Sequence, residues 1–185
     1  MRVRVLGSAA GGGFPQWNCR CETCEAARAG VRARPRTQSS LAIRAADGPW
    51  WLVNASPDLR QQLEAVRDER ADGVRAGAIA GVLLTDAEID HTAGLLLLRE
   101  SATPVRVYGD PGVGRALSDG FPVLRMLERF CGVEWRPLEA GHMYEFDGLE
   151  VERFRAGGDP PRYADVDVEA SGLVVRDRVT GGVMT

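Results

Sequence analysis

The apolar run Ile79-Ala80-Gly81-Val82-Leu83-Leu84 breaks off into the polar turn Thr85-Asp86-Ala87-Glu88-Ile89-Asp90-His91, and a second apolar segment, Thr92 to Arg99, follows at once. A short continuous apolar run reads as a strand buried on both faces, and the segment after the turn reads as a helix. A chain that passes so quickly from buried strand to helix builds a layered domain of sheet and helices. The carboxyl end of such a strand is where α/β folds gather their reactive side chains.

The other segments fit that frame. Val3, Val5 and Leu6 predict a first strand. Ser39 to Arg44 and Trp50 to Val53 predict two more, joined by a turn at Asp47-Gly48-Pro49. Leu59, Leu63 and Val66 have helical spacing, and Val105 to Tyr108 reads as a strand. Pro122 to Phe130 predicts a helix with Val123, Leu124, Leu127 and Phe130 on one face. Glu134 to Arg136, Tyr144 to Phe146, Leu149 to Phe154 and Leu173 to Val175 predict further strands, and the Gly- and Pro-rich stretch Arg155 to Tyr163 a long loop. No repeat or composition break divides the chain, so a single α/β (α+β) domain over residues 1–185 is expected. Asp177 to Gly182 reads as a hairpin turn and Val183-Met184-Thr185 as the start of its second strand. The expectation is therefore the N-terminal part of a longer domain.

Composition narrows the chemistry. With 44% hydrophobic and 26% charged residues, the chain has the make-up of a soluble globular protein. Its 23 basic and 26 acidic residues leave a formal charge of −3, which gives no reason to expect a nucleic-acid partner. Every basic residue is Arg. Lysine Schiff-base chemistry and a Walker-type phosphate lysine are thereby excluded. The glycines of Gly7-Ser8-Ala9-Ala10-Gly11-Gly12-Gly13 follow a strand but form no phosphate-binding signature, and Pro15 stands where a cradling helix would begin; a tight surface loop is expected. No apolar stretch approaches the roughly 20 residues of a membrane span, and the N-terminus alternates Arg2-Val3-Arg4-Val5 instead of carrying a secretory signal. A cytoplasmic location is expected, where the four cysteines serve as thiols or metal ligands.

Three of those cysteines stand in Cys19-Arg20-Cys21-Glu22-Thr23-Cys24. Overlapping CxC and CxxC spacings on a tight turn can aim three sulfurs at one cation, and a thiolate cage suits a closed structural zinc site. Such a site takes a fourth ligand, for which Cys131 and His142 are candidates within the chain. The alternatives are reduced core thiols or a CxxC redox pair. In the polar turn, Asp86, Glu88, Asp90 and His91 form the donor set of a hard or borderline cation such as Fe²⁺, Mn²⁺ or Zn²⁺. Thr85-x-x-Glu88 also reads as a capping box, in which the acidic residues complement a helix dipole without any metal.

Gly11-Gly12-Gly13-Phe14-Pro15-Gln16-Trp17-Asn18-Cys19-Arg20-Cys21 resembles the opening of the coenzyme PQQ synthesis protein B family, within the metallo-β-lactamase superfamily. Pro35-Arg36-Thr37-Gln38-Ser39-Ser40, Asn54-Ala55-Ser56-Pro57-Asp58, Ile89 to Leu96 and Gly120-Phe121-Pro122 continue the likeness in the same order. The resemblance implies a four-layer αββα sandwich with its metal site at the strand ends, here truncated to its N-terminal part. The superfamily signature Thr-His-x-His-x-Asp-His falls on Thr85 to His91, with Asp86 and Glu88 in place of the first two histidines. Asp90 and His91 match. That departure disfavours a dinuclear zinc hydrolase and implies a carboxylate-rich, mononuclear site.

For function, the resemblance implies a step in pyrroloquinoline quinone (PQQ) biosynthesis. One form is an iron(II)- and O₂-dependent hydroxylation of the tyrosine ring of a Glu-Tyr-derived precursor. Asp90 and His91 would hold the iron, with Asp86 as third ligand and Glu88 as ligand, acid or base, or helix cap. Arg side chains would suit the carboxylates of such a substrate. The alternatives are a carrier that moves PQQ or its precursor towards the periplasm, and a degenerate metallo-hydrolase. Cys19, Cys21 and Cys24 match the family's structural zinc cluster, whose fourth ligand is expected beyond Thr185; Cys131 and His142 are then structural. PQQ or its precursor is the expected small-molecule ligand, and other proteins of PQQ biosynthesis are candidate partners. The 185 residues alone are expected to be inactive and to bind iron weakly.

Overall fold

A computed structural model describes residues 1–46, 48–67, 77 and 79–185. Of the expected elements, Asp47 in the turn before Pro49 lies outside the described residues. Six strands form one sheet in chain order: β1 (Arg2–Gly7), β2 (Ser40–Arg44), β3 (Trp50–Val53), β4 (Ile79–Leu83), β5 (Val105–Gly109) and β6 (Val133–Pro137). The first two pairings are antiparallel and the next three parallel. A second, antiparallel sheet is ordered β10-β9-β8-β7, from β7 (Met143–Phe146), β8 (Leu149–Arg155), β9 (Ser171–Asp177) and β10 (Val183–Met184).

The period-2 alternation of side chains sorts each buried strand between two cores. In β3, where all four residues are buried, Trp50 and Leu52 join the core under the helices, while Trp51 and Val53 face the second sheet. Ala42 and Ile43 of β2, and Val82 and Leu83 of β4, divide the same way. Between the sheets, Trp51, Tyr108 and Phe146 meet edge to face with ring centroids 4.8–5.7 Å apart, a favoured aromatic geometry. Helix α1 (Glu22–Arg28) buries Cys24 and Ala27 outside both cores. The helical layer contains α2 (Leu59–Glu64), α3 (Ile89–Thr92) with the 3₁₀ segment Ala93–Glu100, α4 (Pro111–Asp119) and α5 (Val123–Glu128). Leu59, Leu95, Leu117 and Leu127 are its fully buried anchors. Helices, first sheet and second sheet make three layers of the expected sandwich; among the described residues no helix covers the outer face of the second sheet.

Three local expectations need correction. The helix after the polar turn begins at Ile89 instead of Thr92 and tightens to 3₁₀ geometry from Ala93. There the Gly94 N–H is drawn out to the Ala55 carbonyl at 2.9 Å. Phe130 is 65% exposed because α5 stops at Glu128, so Phe130 falls off the helical stripe that buries Val123, Leu124 and Leu127. Helix α4 was not expected. Its signal is Asp110 before Pro111: the Asp110 carboxylate accepts the Gly112 N–H at 2.7 Å, and Pro111 opens the first turn.

Candidate metal centres

The cysteine turn is built locally. Cys21 takes the extended N-cap position of α1, and Cys24 lies one turn inside it. Arg28, in the last turn, reaches back to donate to the carbonyls of Gln16 and Cys19, each at 2.6 Å. The sulfurs of Cys19, Cys21 and Cys24 all lie within 4.8 Å of one another. Zinc with Zn–S bonds of about 2.3 Å holds tetrahedral sulfurs about 3.8 Å apart, so modest side-chain closure fits the three thiols to one ion. Cys21 is exposed, and the Cys24 backbone N–H, with help from the Cys19 and Cys24 side chains, pulls its thiol below the ordinary range. The Gln16 amide acts in the same direction on Cys24, but burial and the two neighbouring thiols outweigh it and push Cys24 up. Among the described residues neither Cys131 nor His142 joins this group. The Cys131 thiol faces the Leu98 and Gly132 carbonyls, and His142 is exposed, with Nδ1 3.4 Å from the Ala140 carbonyl.

The second centre stands where β3 and β4, parallel neighbours, release their loops at the same end of the sheet. Its turn is not a capping box. Glu88 occupies the N-cap of α3 and makes no side-chain cap, and the Glu88 N–H is taken at 2.9 Å by Asp86 Oδ1. Asp86 also holds His91: Nδ1 lies 2.8 Å from each Asp86 oxygen. A third donor, the Thr85 hydroxyl, reaches Asp86 Oδ2 at 2.9 Å. An ionised carboxylate only accepts, so the proton of this contact sits on His91 Nδ1. The other ring nitrogen, Nε2, is turned towards Asp90, 3.9 Å from its Oδ2.

Asp86 and His91 are each mostly buried, at 17% and 21% side-chain exposure, so their charges are weakly screened. Burial alone would raise the Asp86 pKa; the His91 hydrogen bond and charge overcome it and leave it lowered. Burial likewise pulls His91 down, and Asp86 overrides it, so His91 is raised. Asp86 thus lies on His91 Nδ1 and Asp90 on the Nε2 side. Among the described residues only the cysteine turn gathers three possible ligands within 4.8 Å, so the expected set of Asp86, Asp90 and His91 does not converge on one point, and Glu88 stays exposed at the rim.

Three residues border this centre whose place there no local spacing announces. Gly11, from the glycine loop, lies against Asp90: a Cβ there would stand 3.4 Å from its carboxyl carbon and Oδ2. Tyr163, from the long loop before β9, donates its hydroxyl to the Ala87 carbonyl. Burial, then the Glu88 and Asp86 charges, push its phenol up to about 12. Asn54, at the end of β3, binds Thr85 from below. All three come from segments remote in sequence, and only the apposition of the loops assembles them.

A family model described as a beta-lactamase superfamily domain matches residues 49–182, and the chain belongs to that superfamily. Curated relatives it matches include proteins named coenzyme PQQ synthesis protein B. It is 51% identical to that of Methylococcus capsulatus over 83% of this chain and 52% of the relative. With that of Azotobacter vinelandii it shares 42% over the whole chain and 64% of the relative. The crystal structure of Zn²⁺-bound PqqB from Methylobacterium extorquens superposes with a TM-score of 0.85 at 38% identity, covering 99% of this chain and 63% of that one. The family resemblance and the fold class read from the sequence are both borne out. The chain spans about half to two thirds of the length of these relatives.

Proposed function

We propose that the chain takes part in PQQ biosynthesis and supplies one wall of a mononuclear metal centre, with His91 Nε2 and an Asp90 oxygen as its ligands. The observation that carries this reading is the Asp86–His91 contact at 2.8 Å. Metal-ligating histidines commonly donate their other ring N–H to a carboxylate, which fixes the ring and raises its basicity. Asp86 is placed to do that for His91. It is therefore the orienting carboxylate of the pair, and Glu88, exposed beside it, is free to exchange protons with a bound molecule. The donor set of one imidazole and one carboxylate fits iron(II), whose open positions would supply O₂ binding for hydroxylation of the tyrosine ring of a Glu-Tyr-derived precursor. Gly11 leaves room beside Asp90, and Tyr163, kept protonated, holds the loop before β9 against the metal-facing turn. Cys19, Cys21 and Cys24 form a separate structural zinc site. A cytoplasmic setting suits its free thiols.

The test is anaerobic Fe²⁺ titration of the full-length protein, followed by O₂ and the precursor. One iron per chain and a product heavier by oxygen support the reading. Tight PQQ binding without metal-dependent turnover would replace it with the carrier. Hydrolysis of a phosphodiester or a lactam would return the protein to the hydrolases.

A further inference from the structure

Asn54 has a left-handed backbone, φ 64°, which asparagine tolerates better than most residues, and its side chain is buried against Thr85. The Thr85 backbone N–H, which can only donate, lies 3.0 Å from one end of the Asn54 amide, so that end is Oδ1. The other end, Nδ2, then donates to Thr85 Oγ1 at 2.9 Å. The Thr85 hydroxyl has two acceptors in reach, Asn54 Oδ1 at 3.1 Å and Asp86 Oδ2 at 2.9 Å; the carboxylate is the nearer and carries the charge, so the hydroxyl proton is directed to Asp86. Asp86 in turn faces His91 Nδ1. The Thr85 N–H fixes the Asn54 amide, and the charge on Asp86 fixes the Thr85 hydroxyl. Turn shape alone would need only the left-handed residue; this arrangement also uses both ends of the amide and the hydroxyl between.

We propose that Asn54 and Thr85 are positioning residues that act through Asp86 to fix the tautomer of His91, holding its proton on Nδ1 and leaving the Nε2 lone pair to face Asp90. The inference rests on the reading of Asp90 and His91 as ligands. The Asn54 amide orients the Thr85 hydroxyl, the hydroxyl and the Glu88 N–H hold the Asp86 carboxylate, and the carboxylate holds the imidazole.

The experiment is ¹⁵N NMR of the His91 ring in the metal-free chain, at a pH where the ring is neutral, since the two nitrogens then report which one carries the proton. The wild type is expected to show a single tautomer, protonated at Nδ1. Thr85→Val keeps the side-chain shape and removes the hydroxyl. Asn54→Asp keeps the left-handed turn and the acceptor for the Thr85 N–H, but draws the hydroxyl proton away from Asp86. Both are expected to give a mixture of tautomers, and Thr85→Ser to restore the single one. The backbone amide spectrum of each variant checks that the fold is retained, and Thr85→Ser carries the comparison if either of the others unfolds. A wild type protonated at Nε2 would overturn the ligand reading itself. A wild type protonated at Nδ1, with Thr85→Val and Asn54→Asp both unchanged, would overturn the relay alone. If Thr85→Val and Asn54→Asp both unfold, loss of the single tautomer in Thr85→Ser would likewise overturn it.

Discussion

Replacing Asp86 by Asn keeps the shape of the side chain and one acceptor for His91 Nδ1 or the Glu88 N–H, and removes the charge. Hydrogen bonds to charged groups contribute about 1.5–3 kcal/mol and neutral ones about 0.5–1.5 kcal/mol. With both side chains about four-fifths buried, the pair lies between the surface and interior limits. The substitution should then cost about 1–1.5 kcal/mol, or about 2–6 °C in Tm for a chain of this size. The loss depends on pH in a direction the geometry fixes. His91 is raised, so its contribution is complete below about pH 6.5 and disappears as pH rises through its folded value. Asp86 is lowered, so its contribution is present above about pH 4 and disappears as pH falls through its folded value. Urea unfolding of wild type and Asp86→Asn from pH 3 to pH 9 should show the largest difference between those limits, with a smaller residue at high pH from the neutral hydrogen bond. A difference that is flat across the range, or that grows above pH 8, would refute the ion pair.

Packing and thiol exposure give two more expectations. A Cβ on Gly94 would fall 2.1 Å from the Ser56 carbonyl oxygen and 2.7 Å from that of Ala55, both backbone atoms with little freedom to move. Gly94→Ala should therefore destabilise the chain by about 2 kcal/mol or more, and an unchanged urea midpoint would show that the loop after β3 does not press on this helix. In the metal-free chain, iodoacetamide should modify the exposed, acidified Cys21 well before the buried Cys24, and zinc should protect both. Peptide mass mapping reads the order, and faster labelling of Cys24 or no protection by zinc would contradict the site.

The legible parts of this molecule were those whose cause is local. Alternating or continuous apolar runs placed β1 to β5, and the spacing of Cys19, Cys21 and Cys24 announced a cluster because a six-residue turn brings them together without help from the rest of the chain. The acidic turn was visible as a set of donors, yet its internal order was not. Thr85-x-x-Glu88 has the sequence of a capping box, but Asn54 engages Thr85 from 31 residues away and the neighbouring Asp86 takes the Glu88 N–H, so one long-range and one competing local hydrogen bond displaced the motif. Gly11 and Tyr163 gave no sign of bordering Asp90 and Ala87, because they lie far from them in sequence and only the folded loops bring them there. Phe130 misled because an apolar stripe does not say where its helix ends. Helix α4 is announced locally, since Asp110-Pro111 is a start signal that needs no tertiary information.

Asp86 orients His91 and Asp90 binds the metal, a division that anomalous diffraction from anaerobically iron-loaded, full-length protein can see. One iron should lie within about 2.0–2.3 Å of His91 Nε2 and of an Asp90 oxygen, with Asp86 remaining on Nδ1 and off the metal. Iron bound through Asp86, or no iron at His91 while zinc fills the cysteine turn, would contradict it.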